Sequence, residues 1–388
     1  MPRKRRLLHV LKSSDLGGIQ KYTLALCQGL DRSRYDIEVA TSGGGPLIAE
    51  LERIDVPVHV VEIPRYRISP LADWRAMRRL AQLFRERRYD IVHPQGSKPG
   101  AIGRVAARKA GVPITVFTVH LVPFHPGVNA LKRWIYRRID TRLARHTDAI
   151  ITCAKHHRET LLRLGVAREE QITVIQNGHP TPEAPPTPEQ LRAAHERLGV
   201  ETDRPIVAFI ARLMPQKDPE TYLRAVKICV DRGAPGRFIL IGTGELLPRC
   251  ERLARDLGLG PEQLLFLGER RDVPQILPAV GVFVLPSLWE GLPLTLLEAL
   301  EACAPIVCTD IPGNDEVVEH GSNGLLVPPR DPEALASAIT WLLENRDEAS
   351  RFAEAGYQRL ITDFTMDRMI RQTQEVYDRL WRERMGDT

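Results

Sequence analysis

The chain of 388 residues has no cysteines at CxxC spacing, no long apolar run and no GxGxxG after its first strand candidate. Each absence closes off a class of protein. The six cysteines, at 27, 153, 229, 250, 303 and 308, stand mostly in apolar surroundings. That argues against zinc and against a disulfide framework, and it places the chain in a reducing cytoplasm. No apolar stretch reaches the ~18 residues of a membrane-spanning helix. The opening MPRKRRLLHVLKSSDLGG is basic and then apolar, but too briefly for a secretory leader; LLHVL is expected to be a first β-strand ending in a glycine loop. Without GxGxxG, an NAD-dependent oxidoreductase is disfavoured. Aromatics are only 6% and no RNA- or DNA-binding signature occurs, so nucleic acid is not an expected partner. No metal-ligand cluster of the DxD kind stands at a strand end, and no metal site is expected.

The composition, 43% hydrophobic and 27% charged, is that of a globular protein with room for two domains. The net charge of +5 conceals an asymmetry. Residues 1–185 hold 31 Lys and Arg against 17 Asp and Glu, or +14, and the remainder holds 23 against 32, or −9. The first half is therefore expected to meet something anionic, either a membrane face or a phosphorylated acceptor.

GHPTPEAPPTPEQ (178–190) is the clearest boundary, a proline-rich stretch suited to a semi-rigid linker. Strand candidates alternate with helical patterns on both sides of it, from LLHVL to ITVIQN and again from IVAFIAR to GLLVP. Such alternation predicts parallel sheets with helices on both faces. The expected fold is α/β, with two Rossmann-like domains facing each other across a ligand-binding cleft. The boundaries are a basic N-terminal domain at 1–180, a linker at 181–190 and a C-terminal domain at 191–364. A final helix, 365–388, is expected to pack back on the N-terminal domain.

Three loop stations follow strands of the second half. IVAFIARLMPQKDPE leaves its strand through Arg212 and reaches Lys217 before an Asp218-Pro219 helix start. RFILIGTGELLP places Gly242 and Gly244 where backbone can approach a ligand closely. VFVLPSLWEGLPLTLLEAL sets Glu290 in a loop and Glu298 in the second turn of a helix beginning near Pro293. The free N–H groups at that helix start, with Arg212 and Lys217, suit a diphosphate. Carboxylates on either side suit a ligand rich in hydroxyls, as sugars are. The competing view is that Glu298 complements the helix dipole and Glu290 is a solvated loop acid.

The E-x7-E stretch, AR-x4-K, IGTG, VIQNG, the amino-terminal GGIQKY and IPGNDEVVEHGSNGLLVPP occur in the order found in glycosyltransferase family 4. The chain resembles that family over nearly its whole length. The resemblance implies a GT-B fold and a retaining enzyme of polysaccharide or glycoconjugate biosynthesis. It implies no cofactor beyond its donor substrate, a nucleotide-diphosphate sugar, with UDP-sugars ahead of GDP-sugars. By the same resemblance Glu298 binds the ribose, Glu290 a hydroxyl of the donor sugar, and Arg212 and Lys217 the diphosphate. Gly291, Leu292, Pro293 and Leu294 form the helix start against the phosphates. The amides of Gly17 and Gly18 close over them from the other domain, and Arg270 of GERRDV lies near the base. His120, at the end of ITVFTVH, faces the donor sugar, with strand-end structure as its competing role. Leu121 follows it where the family usually has glycine, and VPFHPG supplies a second candidate, His125. Ala211 likewise stands where glycine is usual.

The resemblance implies transfer with retention, and the lack of a DxD cluster leaves the positive groups and helix N–H groups to stabilise the leaving diphosphate without a metal. A glycosidase would need the two glutamates ~5 Å apart, which seven intervening residues disfavour. The rivals that survive are a nucleotide-sugar epimerase or hydrolase and a non-catalytic nucleotide-sugar-binding protein. The sequence leaves the oligomeric state open.

The basic half holds LKRWIYRRIDTRLARH (131–146), with Leu131, Trp134, Ile135, Ile139 and Leu143 on one helical face among six cations, and WRAMRRLAQLFRERR (74–88). Such apolar stripes are expected to pack on a core. Yet the 65–145 window has 18 Lys and Arg against four acids, which points to peripheral binding at the inner face of the cytoplasmic membrane and to a lipid-diphosphate-linked acceptor.

Overall fold

The computed structural model describes residues 3–64, 69–124, 128–200 and 203–386. The chain forms two compact units. The first comprises residues 1–178 together with 366–388, and the second comprises 179–365.

The first unit carries strands β1 (Arg5–Val10), β2 (Tyr35–Thr41), β3 (Val58–Val60), β4 (Ile91–Pro94), β5 (Ile114–Val119), β6 (Ala149–Thr152) and β7 (Ile172–Val174). They form one parallel sheet in the order β3-β2-β1-β4-β5-β6-β7. Helices α1 (Gly18–Gly29), α2 (Leu47–Arg53), α3 (Pro70–Arg87), α4 (Ser97–Ala110), α5 (Ala130–Ala144) and α6 (Lys155–Arg163) connect them. Strands such as Leu7–Val10 and Ile114–Val119 are buried along their length, as a sheet covered on both faces requires.

The second unit has β8 (Ile206–Ile210), β9 (Arg237–Ile241), β10 (Leu264–Phe266), β11 (Val280–Leu285), β12 (Ile306–Thr309) and β13 (Leu325–Val327). Their order is β10-β9-β8-β11-β12-β13, again all parallel. Its helices are α7 (Pro188–Leu198), α8 (Pro219–Asp231), α9 (Leu247–Asp256), α10 (Val273–Ile276), α11 (Leu294–Glu301), α12 (Pro332–Glu344) and α13 (Arg346–Asp363). The stretch expected to be linker through residue 190 is already helix from Pro188. Thr187 accepts a hydrogen bond from the Gln190 N–H, the Gln190 side chain returns to the Thr187 N–H, and Pro188 fills the first helical position.

The last helix, α14 (Met366–Met385), belongs to the first unit. Met369, Val376, Tyr377 and Leu380 are buried in the same core as Leu7, Leu26 and Ile37. At its edge Asp378 meets Arg5, Arg34 and the Tyr35 hydroxyl. The Arg5 guanidinium lies 4.8 Å from the centre of the Trp381 ring.

The apolar stripe of α5 departs from the sequence expectation. Ala144 is the only buried residue of that helix, whereas Leu131 and Trp134 are 65% and 57% exposed, with Ile135 and Ile139 beside them. The inward side is held by Asp140 instead, whose carboxylate accepts from the buried Arg104 of α4 at 2.5 Å. Arg104 in turn donates to Gly100 O at 2.8 Å and lies over the Phe117 ring at 4.0 Å. A buried ion pair thus faces the domain, and the apolar stripe faces outward. The α3 stripe divides: Met77, Leu80 and Phe84 are buried, while Leu71 and Trp74 are exposed.

Candidate active site

In the second sheet the strand order reverses between β8 and β11, and ligands of doubly wound sheets bind beyond the carboxyl ends at such a point. The loops leaving these two strands are tied to each other. Leu288 donates its N–H to Gln216 O at 2.8 Å, and Gln216 Nε2 donates to Trp289 O at 2.9 Å and to Glu290 Oε2 at 3.0 Å. Lys217 Nζ lies 2.5 Å from Glu290 Oε1, and the Ser287 hydroxyl donates to the same oxygen at 2.6 Å. Glu290 is buried, so its carboxylate is an ion-paired, fully oriented group rather than a solvated loop acid. Ser287 is itself anchored, because its carbonyl accepts from Thr309 Oγ1 at 2.5 Å and Asn314 donates to Thr309 O at 3.0 Å.

The residues after Glu290 bring a helix start to the same place. Gly291, Leu292 and Pro293 are buried, Pro293 is the extended N-cap residue, and Leu294 opens α11. The Leu296 N–H already returns to Pro293 O at 3.1 Å, and the amides of Leu294 and Thr295 before it have no acceptor within the helix, as at any helix start. Glu298, in the second turn, is buried. Arg212 follows β8 and is exposed; among the described residues it has no hydrogen-bond or ion-pair partner.

Gly242 and Gly244 are demanded by the neighbouring loop. Gly242 has φ +140°, and a Cβ there would lie 1.9 Å from Ala211 O; at Gly244 it would lie 2.3 Å from Leu213 O. The Leu213 N–H donates to Thr243 O at 2.9 Å, so the two loops run backbone to backbone. Both glycines are thus required by contacts within the chain. Arg270 is also occupied: it pairs with Asp272 at 2.7 Å and donates to the carbonyls of Arg197 and Leu198 at the end of α7. Its hydrogen bonds hold the Asp272 carboxyl down to about 2.

In the first unit, Gly17 is the N-cap of α1 and Gly18 its first residue. The Gly17 N–H already donates to Asp15 O at 2.9 Å and meets the Gln20 side chain at 3.3 Å, so of the two expected phosphate amides one is engaged in its own loop. His120 follows β5, partly exposed, with its Nε2 2.9 Å from Gln95 Oε1 and its ring edge-on to Tyr22 at 4.9 Å. Burial lowers its pKa to about 3, so the ring is neutral at physiological pH. His125 lies outside the described residues.

Sequence reasoning did not single out Gln216, Ser287, Thr309, Asn314 or Gln95. Gln216 adjoins Lys217, and Ser287 precedes Glu290 by one helical turn's length. Nothing in the sequence alone brings Asn314 to the Glu290 loop, because parallel pairing of β11 with β12 sets that proximity.

Two family models cover most of the chain. Glycosyl transferases group 1 matches residues 192–359, and the glycosyl transferase 4-like domain matches 17–178. An Escherichia coli protein, UDP-Gal:alpha-D-GlcNAc-diphosphoundecaprenol alpha-1,3-galactosyltransferase, is 30% identical over 348 residues, covering 88% of this chain and 89% of its own. The D-inositol 3-phosphate glycosyltransferase of Corynebacterium diphtheriae is 24% identical over 392 residues, covering 94% and 90%. Among solved structures, Anabaena HepE in complex with UDP and glucose superposes with a TM-score of 0.84 at 22% identity, covering 97% of this chain and all of that one. Two Rossmann-like units, an oriented Lys217–Glu290 pair at a switch point and these matches together place the chain in glycosyltransferase family 4, as an enzyme of GT-B fold.

Proposed function

We propose that this glycosyltransferase moves a sugar from a UDP-sugar to a hydroxyl of a lipid-diphosphate-linked glycan, with retention and without a metal ion. The observation that carries the donor reading is the desolvated Lys217–Glu290 pair beside the start of α11, between the ends of β8 and β11. Arg212, Lys217 and the amides at Gly291–Leu294 neutralise the diphosphate as charge develops on it. Glu290 holds a sugar hydroxyl, Glu298 the ribose, and Arg270 lies toward the base. Gly18, with Gly17, supplies backbone to the phosphates, and His120 meets the sugar. In the transfer the bond from the anomeric carbon to the phosphate oxygen breaks and one to the acceptor oxygen forms on the same face. The acceptor proton passes to the departing UDP. The substrates named for the E. coli relative, UDP-Gal and a diphosphoundecaprenol-linked sugar, favour a UDP-sugar and an undecaprenol-linked acceptor.

The acceptor reading extends to a membrane. The outward stripe Leu131, Trp134, Ile135 and Ile139 of α5 is flanked by Lys132, Arg133, Arg137, Arg138 and Arg142. An apolar face edged with cations suits the headgroup region of an anionic leaflet, which would set the enzyme peripherally on the cytoplasmic side.

Calorimetry with UDP tests the donor site: Glu298→Ala is expected to weaken binding, and unchanged affinity would remove the ribose role. Product analysis by NMR reads the anomeric configuration. Full transfer after exhaustive chelation supports metal independence, whereas loss rescued by Mg²⁺ refutes it. Donor isomerised or hydrolysed without transfer would favour the epimerase or hydrolase alternative.

A further inference from the structure

The first sheet has its own switch point, between β1 and β4, and three histidines meet beside it. His9 on β1 pairs in register with His93 on β4, their rings 5.3 Å apart, and His120 follows the next strand. His9 and His93 are fully buried. All three rings are neutral: burial brings His9 and His120 to about 3 and His93 well below its ordinary value. A neutral imidazole has one donor nitrogen and one acceptor nitrogen, and its neighbours decide which is which.

Gln95, immediately after β4, decides it for His120. The Gln95 carbonyl oxygen can only accept, so the His120 Nε2 at 2.9 Å carries the proton. His120 Nδ1 is then the bare nitrogen, and it has no hydrogen-bond partner among the described residues. The Gln95 amide nitrogen lies 3.4 Å from His9 Nδ1, which accordingly accepts. Gln95 is held in turn: its N–H donates to Val10 O at 2.9 Å, and it bridges to Thr118 on the neighbouring strand. Tyr22 blocks one side of the His120 ring.

We infer that Gln95 is a positioning residue, fixing His120 as the Nε2–H tautomer so that Nδ1 accepts a hydrogen bond from a hydroxyl of the sugar. This rests on the proposal that His120 meets the sugar, and it deepens it. His120 is a hydroxyl acceptor, neither a cation nor a donor toward phosphate. A hydroxyl whose direction is read by a single lone pair contributes to sugar selection as well as to rate.

Long-range ¹H–¹⁵N NMR of the full chain labelled at histidine, with His120→Asn assigning the signal, reads the tautomer directly. A protonated Nε2 and bare Nδ1 are expected; a protonated Nδ1 overturns the inference. Gln95→Leu is expected to lower kcat about tenfold with UDP affinity unchanged, and to bring the Nδ1–H tautomer of His120 into the same spectrum. Gln95→Leu at full rate, or with the His120 tautomer unchanged, overturns it. His120→Ala at full rate would overturn the sugar-facing role itself, and the NMR result separates that failure from a failure of the Gln95 assignment.

Discussion

Lys217 Nζ and Glu290 Oε1 stand 2.5 Å apart with their side chains 15% and 6% exposed, so the cation proposed for the diphosphate and the anion proposed for the sugar are one ion pair. The pair couples recognition of the two halves of a nucleotide sugar. Whatever draws Lys217 toward phosphate also frees an oxygen of Glu290, which Ser287 and Gln216 keep in place.

Breaking a buried pair from one end strands the other charge. Lys217→Met is therefore expected to destabilise the protein by ~3 kcal/mol, and Glu290→Gln to be destabilising as well. The double variant should lose less than the sum, because neither charge is left alone. Urea unfolding of the four proteins measures this; strict additivity would show that the two groups do not interact. Transfer should fall by more than about 100-fold in all three variants.

The neutral histidines make stability depend on pH with a definite sign. In the unfolded chain they titrate near 6.5, whereas in the fold His9 and His120 titrate at about 3. Between those values the unfolded chain binds protons that the folded one refuses, so stability is complete above 6.5 and declines as pH falls toward 3. The urea midpoint should be flat from pH 7 to about 8 and drop toward pH 5, with a shallower drop in His9→Gln. Glu38 adds a lower window. Burial raises its pKa, but hydrogen bonds from His59, Arg87 and Tyr89 outweigh that and bring it from 4.5 to about 2, so its contribution disappears over that interval on acidification.

Gly242→Ala tests the contact between the loops after β8 and β9. A methyl group 1.9 Å from Ala211 O must displace the strand-end backbone that carries Arg212. The expected outcome is a loss of ~2 kcal/mol with weaker UDP binding. A variant with unchanged melting temperature and UDP affinity would show that the loops part without consequence.

The outward face of α5 predicts binding to anionic vesicles that weakens with salt and disappears in Leu131→Ser/Trp134→Ser, while transfer to a water-soluble acceptor is retained. Failure of the native protein to pellet with anionic liposomes at low salt would remove the membrane proposal. Equal pelleting with neutral liposomes would assign the face to apolar insertion alone.

Both sheets were legible because their strands are short, β-branched and flanked by loops: IVAFI, RFILI and VFVL give β8, β9 and β11. Helix α4 was hidden by Pro99, Gly100 and Gly103, which look like loop residues. Pro99 lies in the first turn, where no N–H is needed, and the glycines are there because the helix runs so close to the sheet that a Cβ would lie 2.2 Å from the Phe117 ring at Gly100 and 2.7 Å from Pro94 at Gly103. The α5 stripe misled, since helical period shows that a face is apolar and not what it faces; the Arg104–Asp140 pair that turns it outward joins residues 36 apart. At the site, motif spacing brought Lys217 and Glu290 to one crevice. Their direct pairing, and the Asn314–Thr309–Ser287 support behind it, depend on side-chain directions that spacing does not carry.

The placement of α14 in the first core has a consequence for how this protein is born. Residues 1–178 leave the ribosome long before residues 366–388, yet Leu7, Leu26 and Ile37 share their core with Met369, Tyr377 and Leu380. The second unit, contiguous from 179 to 365, is complete when its last residue emerges. The first to be translated is thus the last to be finished, and until residues 366–388 emerge its sheet exposes the face that α14 will cover.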